Sequence, residues 1–280
     1  MSVSPLSGFS SFSSFSSSHR SSAVTALRAA GCVFAEDEAE LILSTARTPY
    51  ELAAMVERRA GGLPLEHVLG WAEFRGLRIA VDPGVFVPRR RTEFLVGQAA
   101  ALAGGEAVVV DLCCGSGALG AALAAGLGRV ELYAADIDPA AVRCARRNVA
   151  DVGGEVYEGD LYEPLPGALR GRVDILLANV PYVPTEEVGL LPAEARVHEA
   201  LVALDGGADG LDVLRRVTEE APVWLAPGGH LLFETSEGQV PAAVAAVERA
   251  GLVARVVDDE EMYATVVIGT PPQVYDGEAG

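Results

Sequence analysis

The sequence predicts an α/β protein built on a doubly wound, mostly parallel sheet, preceded by a short helical region and a β-hairpin. Three observations carry that expectation. Short, nearly continuous apolar runs recur in the second half of the chain, the pattern of strands buried on both faces. Helical stretches separate them, giving a strand–helix–strand–helix order. A glycine-containing turn follows the first of these runs and opens a helix, which is where doubly wound sheets bind ligands.

Taken in order, residues 1–22 are serine-rich, and no acidic residue precedes Glu36; they read as a disordered tail. From 23 to 66 the spacing is helical. Ala23, Leu27 and Ala30 share a face, and a second helix fits Glu36–Ala46 with Leu41, Ile42 and Ala46 on one side. Thr48-Pro49 reads as an N-cap followed by proline and opens a third helix through Arg59, which Gly61-Gly62 ends. No chemistry stands out here, so a helical packing or partner-binding module is expected. Residues 67–90 form a linker: Trp71–Val81 alternates in part around a central Gly76, as a β-hairpin does, and Pro83-Gly84 is a turn.

From 91 to 270 the pattern is α/β. Apolar runs at Ala107–Leu112, Glu131–Ala135, Val173–Ala178 and His230–Glu234 predict buried strands. The stretches 117–126, 139–150, 209–225 and 238–250 predict helices. Leu252–Val257 and Thr265–Ile268 read as two late strands joined by an acidic loop, and 271–280 as a C-terminal tail.

Composition narrows the chemistry. The 280 residues are 50% hydrophobic and 21% charged, enough apolar material for one large domain and a small one. The formal net charge is −18, so a phosphate backbone is not the expected partner, although Arg89-Arg90-Arg91 is a local basic run. All 21 cationic residues are arginine, which excludes a lysine Schiff base and a phosphate-loop lysine. Cys32, Cys113, Cys114 and Cys144 form no C-x-x-C pair, and the four histidines are scattered, so no metal site is expected and the compartment reads as reducing. No apolar run of about 18 residues predicts a membrane span.

The first α/β strand ends in Asp111-Leu112-Cys113-Cys114-Gly115-Ser116-Gly117, where Gly115 and Gly117 let the backbone turn and approach a ligand. The next strand ends in Asp136-Ile137-Asp138-Pro139, and a carboxylate at that position is placed to accept hydrogen bonds from ribose hydroxyls. Such a pair also fits a dinucleotide-binding fold, although G-x-G-x-x-G is not at its usual place. The adjacent Cys113 and Cys114 are read as small loop residues, because neighbouring cysteines rarely reach disulfide geometry.

Val173–Ala178 runs into Asn179-Val180-Pro181-Tyr182, and an Asn-x-Pro-aromatic tetrad at a strand end suits methylation of a planar nitrogen. An amide nitrogen is a poor nucleophile, and a site can help by accepting hydrogen bonds from its N–H groups and fixing its orientation. Asn179 offers a side-chain oxygen and Val180 a carbonyl. Pro181 keeps the residue before it extended, and Tyr182 can lay its ring on a planar substrate group.

At these residues the chain resembles the protein-(glutamine-N5) methyltransferase family that modifies peptide chain release factors. The likeness spans about residues 35–270. Asn179–Tyr182 is similar to the family's Asn-Pro-Pro-Tyr, Gly62–Gly70 to its linker, and Val87–Glu93 to its Ile-Pro-Arg-Pro-x-Thr-Glu segment. Ala203–Leu211 and Phe233–Gln239 also match. The resemblance implies a seven-stranded Rossmann-like methyltransferase sheet in a cytoplasmic protein. Asp111, Cys113–Gly117 and Asp136 would hold S-adenosylmethionine, and Asp160 and Leu161 would lie near its adenine. Asn179 would touch both cofactor and substrate, with Val180, Pro181 and Tyr182 shaping the glutamine pocket. The N-terminal helices would contact a release factor. Val180 stands where the family has proline, Cys113-Cys114 where it has Gly-Thr, Leu161 where an aromatic is common, and Ala200 where proline follows the glutamate; these departures point to a divergent paralogue. Alternatives from other classes are an adenine-N6 amino methyltransferase, a non-catalytic S-adenosylmethionine-binding module and a nicotinamide-dependent oxidoreductase.

Overall fold

A computed structural model describes residues 15–272, and the first helix begins inside the serine-rich stretch. Helix α1 spans Ser17–Ala29, so residues 17–22, expected as tail, are helical. Ser16 is extended and its backbone N–H donates to His19 Nδ1 at 3.3 Å. Ala23 and Leu27, four residues apart, are buried and anchor the helix through its apolar face. The rest of the expected tail, residues 1–14, and all but Pro271 and Pro272 of the C-terminal one lie outside the described residues.

The chain divides into two compact units, the first ending at Leu69. In it, α2 (Ala35–Thr45), α3 (Pro49–Ala60) and the short α4 (Leu65–Leu69) follow α1. Thr48 caps α3 by accepting the Glu51 N–H at 3.1 Å, with Pro49 at the first position. Helix α2 buries Ala35, Glu38, Ala39 and Ile42 at helical spacing. Leu41, expected on this side, is exposed instead. Glu38 is tolerated because Arg59 of α3 grips it with two nitrogens, at 2.6 and 3.1 Å.

The second unit runs from Gly70. It opens with a hairpin of β1 (Trp71–Phe74) and β2 (Leu77–Ala80), joined by Arg75 and Gly76, both at positive φ as a tight hairpin turn demands. The hairpin, expected as part of a linker, is built into this unit. Phe74, Ile79 and Val81 enter its core, and Asn148 brackets Ala80 with two 2.8 Å hydrogen bonds.

Seven strands follow: β3 (Ala107–Leu112), β4 (Val130–Asp136), β5 (Glu155–Glu158), β6 (Val173–Ala178), β7 (Leu225–Glu234), β8 (Val253–Asp259) and β9 (Ala264–Thr270). Their spatial order is β5-β4-β3-β6-β7-β9-β8, and only the pairs made by β9 are antiparallel. Strand β5 escapes sequence reading because it is a four-residue edge strand burying only Val156.

Helices α5 (Glu93–Leu102), α6 (Ala118–Leu127) and α7 (Pro139–Asn148) cover one face, with Val109, Ile175, Leu177 and Leu232 beneath them. The short α8 (Ala193–His198) lies in the long connection after β6. Helices α9 (Asp212–Trp224) and α10 (Val240–Arg249) cover the other face, over Val110, Leu176, Leu231 and Phe233. Alternate residues of each strand thus feed two apolar cores, which is why the strands read as continuous apolar runs. The chain leaves β3 toward β4 on one side and returns to β6 on the other, so a crevice opens beyond the ends of β3 and β6.

Candidate active site

A cavity of about 530 Å³ occupies that crevice, within the volume range of small-molecule sites. Its floor is the loop after β3. Cys113, Gly115 and Gly117 have φ of 53°, 55° and 76°, every second residue left-handed in a turn that reverses the chain into α6. Close packing fixes the turn. A Cβ on Gly117 would meet Ala145 Cβ at 3.1 Å, and one on Gly120 would meet Leu132 Cδ1 at 2.9 Å.

Asp136, at the end of β4, ties the loop to the next strand. Its carboxylate accepts the N–H of Gly115 at 2.8 Å and of Asp138 at 2.9 Å. Burial pushes its pKa up despite these bonds. Asp138 caps α7 through the Ala140 N–H at 2.8 Å, with Pro139 next. Asp160 pairs with Arg216 at 2.7 Å, and Leu161, at φ 48°, follows it onto the cavity wall.

Of the residues expected to hold a cofactor, Cys113, Cys114, Gly115, Ser116, Asp136, Asp160, Leu161 and Asn179 line the cavity. Asp111 and Gly117 do not. Asp111 shares the α6 face of β3 with Val109 and is buried behind the loop, where it accepts the Gly120 N–H at 2.9 Å. Its other oxygen has no partner, and burial, with a contribution from Asp136, pushes its pKa up to about 7. Cys113 and Cys114 are free thiols whose burial holds them protonated, consistent with a small-residue role in the loop.

The opposite wall is the loop after β6, where the structure brings Asn179, Val180, Pro181 and Tyr182 to the same cavity. The Asn179 Oδ1 is buried without a hydrogen-bond partner, an acceptor awaiting a donor. The loop is held from behind by the segment Asp205–Leu211 and the residue before it. Val183 N–H donates to Leu204 O at 3.1 Å, and Gly206 N–H donates to Val183 O at 2.9 Å. The Gln239 amide donates to the Tyr182 carbonyl at 2.8 Å and to Asp209 O at 3.0 Å. A Cβ on Gly206 would stand 2.6 Å from Pro181 O.

Several participants were not identified from the sequence. Glu234, the last residue of β7, is buried and accepts from Tyr182 Oη at 2.9 Å, Arg91 Nε at 2.7 Å and Thr92 Oγ1 at 2.7 Å; Arg91 also donates to Tyr182 Oη. Burial foremost, and the Glu234 charge next, push the Tyr182 phenol well above its usual range. Behind Arg89, which lines the cavity, the buried Glu199 accepts from Arg89 at 2.6 and 2.8 Å and from the Val87 N–H at 3.1 Å. The basic run is therefore no open patch, since Arg89 and Arg91 each face a buried carboxylate. Arginines in the sequence gave a signal, but nothing local in it names their partners.

The donor set fits S-adenosylmethionine. A carboxylate stands at the end of the second strand of the sheet, a glycine turn lies flat against the cavity, and Asn179 presents an unpartnered oxygen. Fold and site together define an S-adenosylmethionine-dependent methyltransferase. Residues 76–209 match the family model described as "Methyltransferase small domain". Solved structures with the same fold include a methyltransferase from Pyrococcus furiosus, with TM-score 0.52, 18% identity and coverage of 69% of this chain and 88% of that one. Another is the 16S rRNA N2 G1207 methyltransferase of T. thermophilus in complex with AdoMet and guanosine, with TM-score 0.52, 19% identity and coverage of 72% and 50%. Closer in sequence is a release factor glutamine methyltransferase of Geobacter sulfurreducens, 40% identical over 208 residues and 72% of each chain. A release factor glutamine methyltransferase of Streptomyces coelicolor is 40% identical over 194 residues, 67% of this chain and 69% of its own. The chain belongs to the release factor glutamine methyltransferase family.

Proposed function

We propose that this chain transfers a methyl group from S-adenosylmethionine to the side-chain amide nitrogen, N5, of a glutamine in a peptide chain release factor. The observation that carries the reading is the unpartnered Oδ1 of Asn179, buried in the tetrad loop on the same cavity as Asp136 and the β3 loop. The names of the family's members supply the substrate.

S-adenosylmethionine, when bound, supplies a sulfonium methyl group open to in-line attack. The backbone of Cys113–Ser116 and the carboxylate of Asp136 would hold it at the ribose side, with Asp160 and Leu161 near the base. Asn179 Oδ1 and the Val180 carbonyl accept the two N–H groups of the substrate amide. That turns the nitrogen toward the transfer path and favours the positive charge it acquires. Pro181 keeps the Val180 carbonyl directed outward, and the Tyr182 ring packs on the amide plane. The cationic product is acidic enough to lose its proton to solvent.

The helical unit before Leu69 would supply surface for the protein substrate, and it exposes Val33, Phe34 and Tyr50. All three arginines on the cavity wall, Arg89, Arg91 and Arg216, are ion-paired, an arrangement ill-suited to phosphate. A cytoplasmic setting goes with the substrate and with the free thiols of Cys113, Cys114 and Cys144. No helix among the described residues is long and apolar enough to cross a membrane.

The test is transfer of label from S-adenosylmethionine to purified release factors, with other cell protein and DNA offered in parallel. Label on a release-factor glutamine is expected. Label confined to DNA would overturn the reading. Asn179→Ala is expected to weaken cofactor binding measurably and to cut transfer at least about 100-fold, the scale of losing an oriented polar group. Near-normal turnover by that variant would show that the amide is oriented without Asn179.

A further inference from the structure

We infer that Glu234 is a positioning residue for this reaction: fixed by Thr92 and Arg91, its carboxylate holds the Tyr182 phenol and, through it, the Asn179–Tyr182 loop against the substrate amide. The inference rests on the glutamine reading above.

Four observations support it. Glu234 ends β7 on the pleat opposite Phe233, which turns it toward Thr92 at the start of α5. Only 3% of the residue is exposed, and a carboxylate so placed is tolerated only when its lone pairs are satisfied. They are satisfied: Oε2 accepts from Thr92, while Oε1 accepts from both Arg91 and Tyr182. The phenol of Tyr182 is also an acceptor toward Arg91, so its hydroxyl is fixed as donor on one side and acceptor on the other.

The third observation is the division of surfaces. Arg91 and Tyr182 line the cavity, whereas Thr92 does not and Glu234 faces only a neighbouring pocket on the far side of Arg91 and Tyr182. Glu234 therefore acts on the cavity through Tyr182 and Arg91. The fourth is that Tyr182 is held at both ends, by the phenol contacts and by the Gln239 amide on its carbonyl. Tyr182 follows Pro181 directly. A ring that drifts carries Pro181 and the Val180 carbonyl with it, away from where an amide nitrogen must be aimed. A merely structural ion pair between Arg91 and Glu234 would not require the phenol to be included.

The experiment is a double-mutant cycle of Glu234→Gln and Tyr182→Phe in the full chain, read by kcat and KM for a release factor and by S-adenosylmethionine affinity. Glutamine at 234 keeps the size but offers an amide N–H₂ where the carboxylate accepted. Expected are a fall in kcat of about 10- to 100-fold for Glu234→Gln, the scale of a misaligned reacting group, with KM and cofactor affinity within about threefold of wild type. The double variant is expected to be no worse than the poorer single one, because both remove the same constraint. Turnover of Glu234→Gln within about threefold of wild type, or effects that simply multiply, would overturn the inference. So would a loss of turnover that merely tracks lost cofactor affinity and melting temperature. Should Glu234→Gln not fold, Thr92→Val replaces it in the cycle, with the same criterion. NMR of ¹³C-labelled tyrosine at neutral pH gives a readout free of turnover: the Tyr182 ring signal should move in Glu234→Gln, which changes the partner of its hydroxyl. If wild type binds cofactor but leaves release-factor glutamine unlabelled, it is the substrate reading that fails; a labelled wild type beside an unimpaired Glu234→Gln variant is the failure of the inference alone.

Discussion

The two loops that face each other across the cavity are built on different principles. The loop after β3 draws much of its shape from its own backbone: Cys113, Gly115 and Gly117 take left-handed angles, Asp136 at the end of the neighbouring strand accepts the Gly115 N–H, and Asn148 of α7 donates to Ser116 O, while Asp111 accepts the Gly120 N–H behind it. The loop after β6 has no such internal support. Asn179–Val183 is held by Glu234 at the end of β7 and Gln239 beyond it, by Gly206 from the connection to α9, and by Arg91 from before α5. On the proposed reading, a cofactor common to many methyltransferases would be met by the first loop, and the amide of a protein substrate by a surface assembled from distant segments. The comparison teaches that cofactor affinity and transfer should be separable by mutation.

The strongest test strikes the second loop from behind. In Gly206→Ala the new Cβ would lie 2.5 Å from Gly210 O and 2.6 Å from Pro181 O. Both are backbone atoms, so one of the two segments must move. Transfer should fall at least about 100-fold, the scale of misplacing a reacting group by about 1 Å. S-adenosylmethionine affinity measured by calorimetry should stay within about threefold, because the β3 loop is untouched. Equal losses in both would show that the two loops are one mechanical unit.

The same contrast explains what could be read in the sequence. The strand–helix order was legible because the central strands are buried on both faces and helices such as α7 follow a local signal, Asp138-Pro139, whereas the short α8 carries none that was read. The tetrad was legible because its four residues are contiguous. Glu234, Arg91 and Glu199 were not, because a buried carboxylate announces itself only when its partner, 110 or more residues away, is known. Asp111 was assigned to the cofactor, yet it sits behind the loop. Strand parity decides this: Asp111 and Val109 point to α6, while Val110 and Leu112 point to the other core. That parity, together with a glycine nine residues later that cannot carry a Cβ without crowding Leu132 and Asp111, was a signal available in principle.

Asp111 also gives a test of intermediate size, confined to the first loop. Its carboxyl, pushed up to about 7 by burial and by Asp136, holds a proton in the folded chain at pH values where the unfolded chain has released it. Between the unfolded value near 4 and about 7 the native state thus binds more protons, so this group's contribution to stability declines as pH rises and levels off above about 7. Asp111→Asn removes that decline. Thermal melts should therefore show the variant gaining on wild type as pH is raised from about 4 to about 7, and not beyond. A difference in melting temperature that stays constant across this interval would mean that Asp111 is ionised alike in both states.

The smallest effect is expected where the chain departs from its family inside the tetrad. Val180 is buried, and among the described residues its N–H makes no backbone hydrogen bond. A proline there forfeits no such bond, and the residue it constrains next, Asn179, already follows the extended end of β6. Pro181 sets the conformation of residue 180 in either case, while Gly206, Gln239 and Glu234 hold the loop from outside. Val180→Pro should accordingly transfer methyl groups to the same substrate within about threefold of wild type, at most about 0.7 kcal/mol in the barrier. A variant that folds and binds S-adenosylmethionine normally but loses transfer would show that the carbonyl of residue 180 is aimed by its own side chain's packing. The loop would then owe its geometry to local structure, as the β3 loop does, and the contrast between the two walls would collapse.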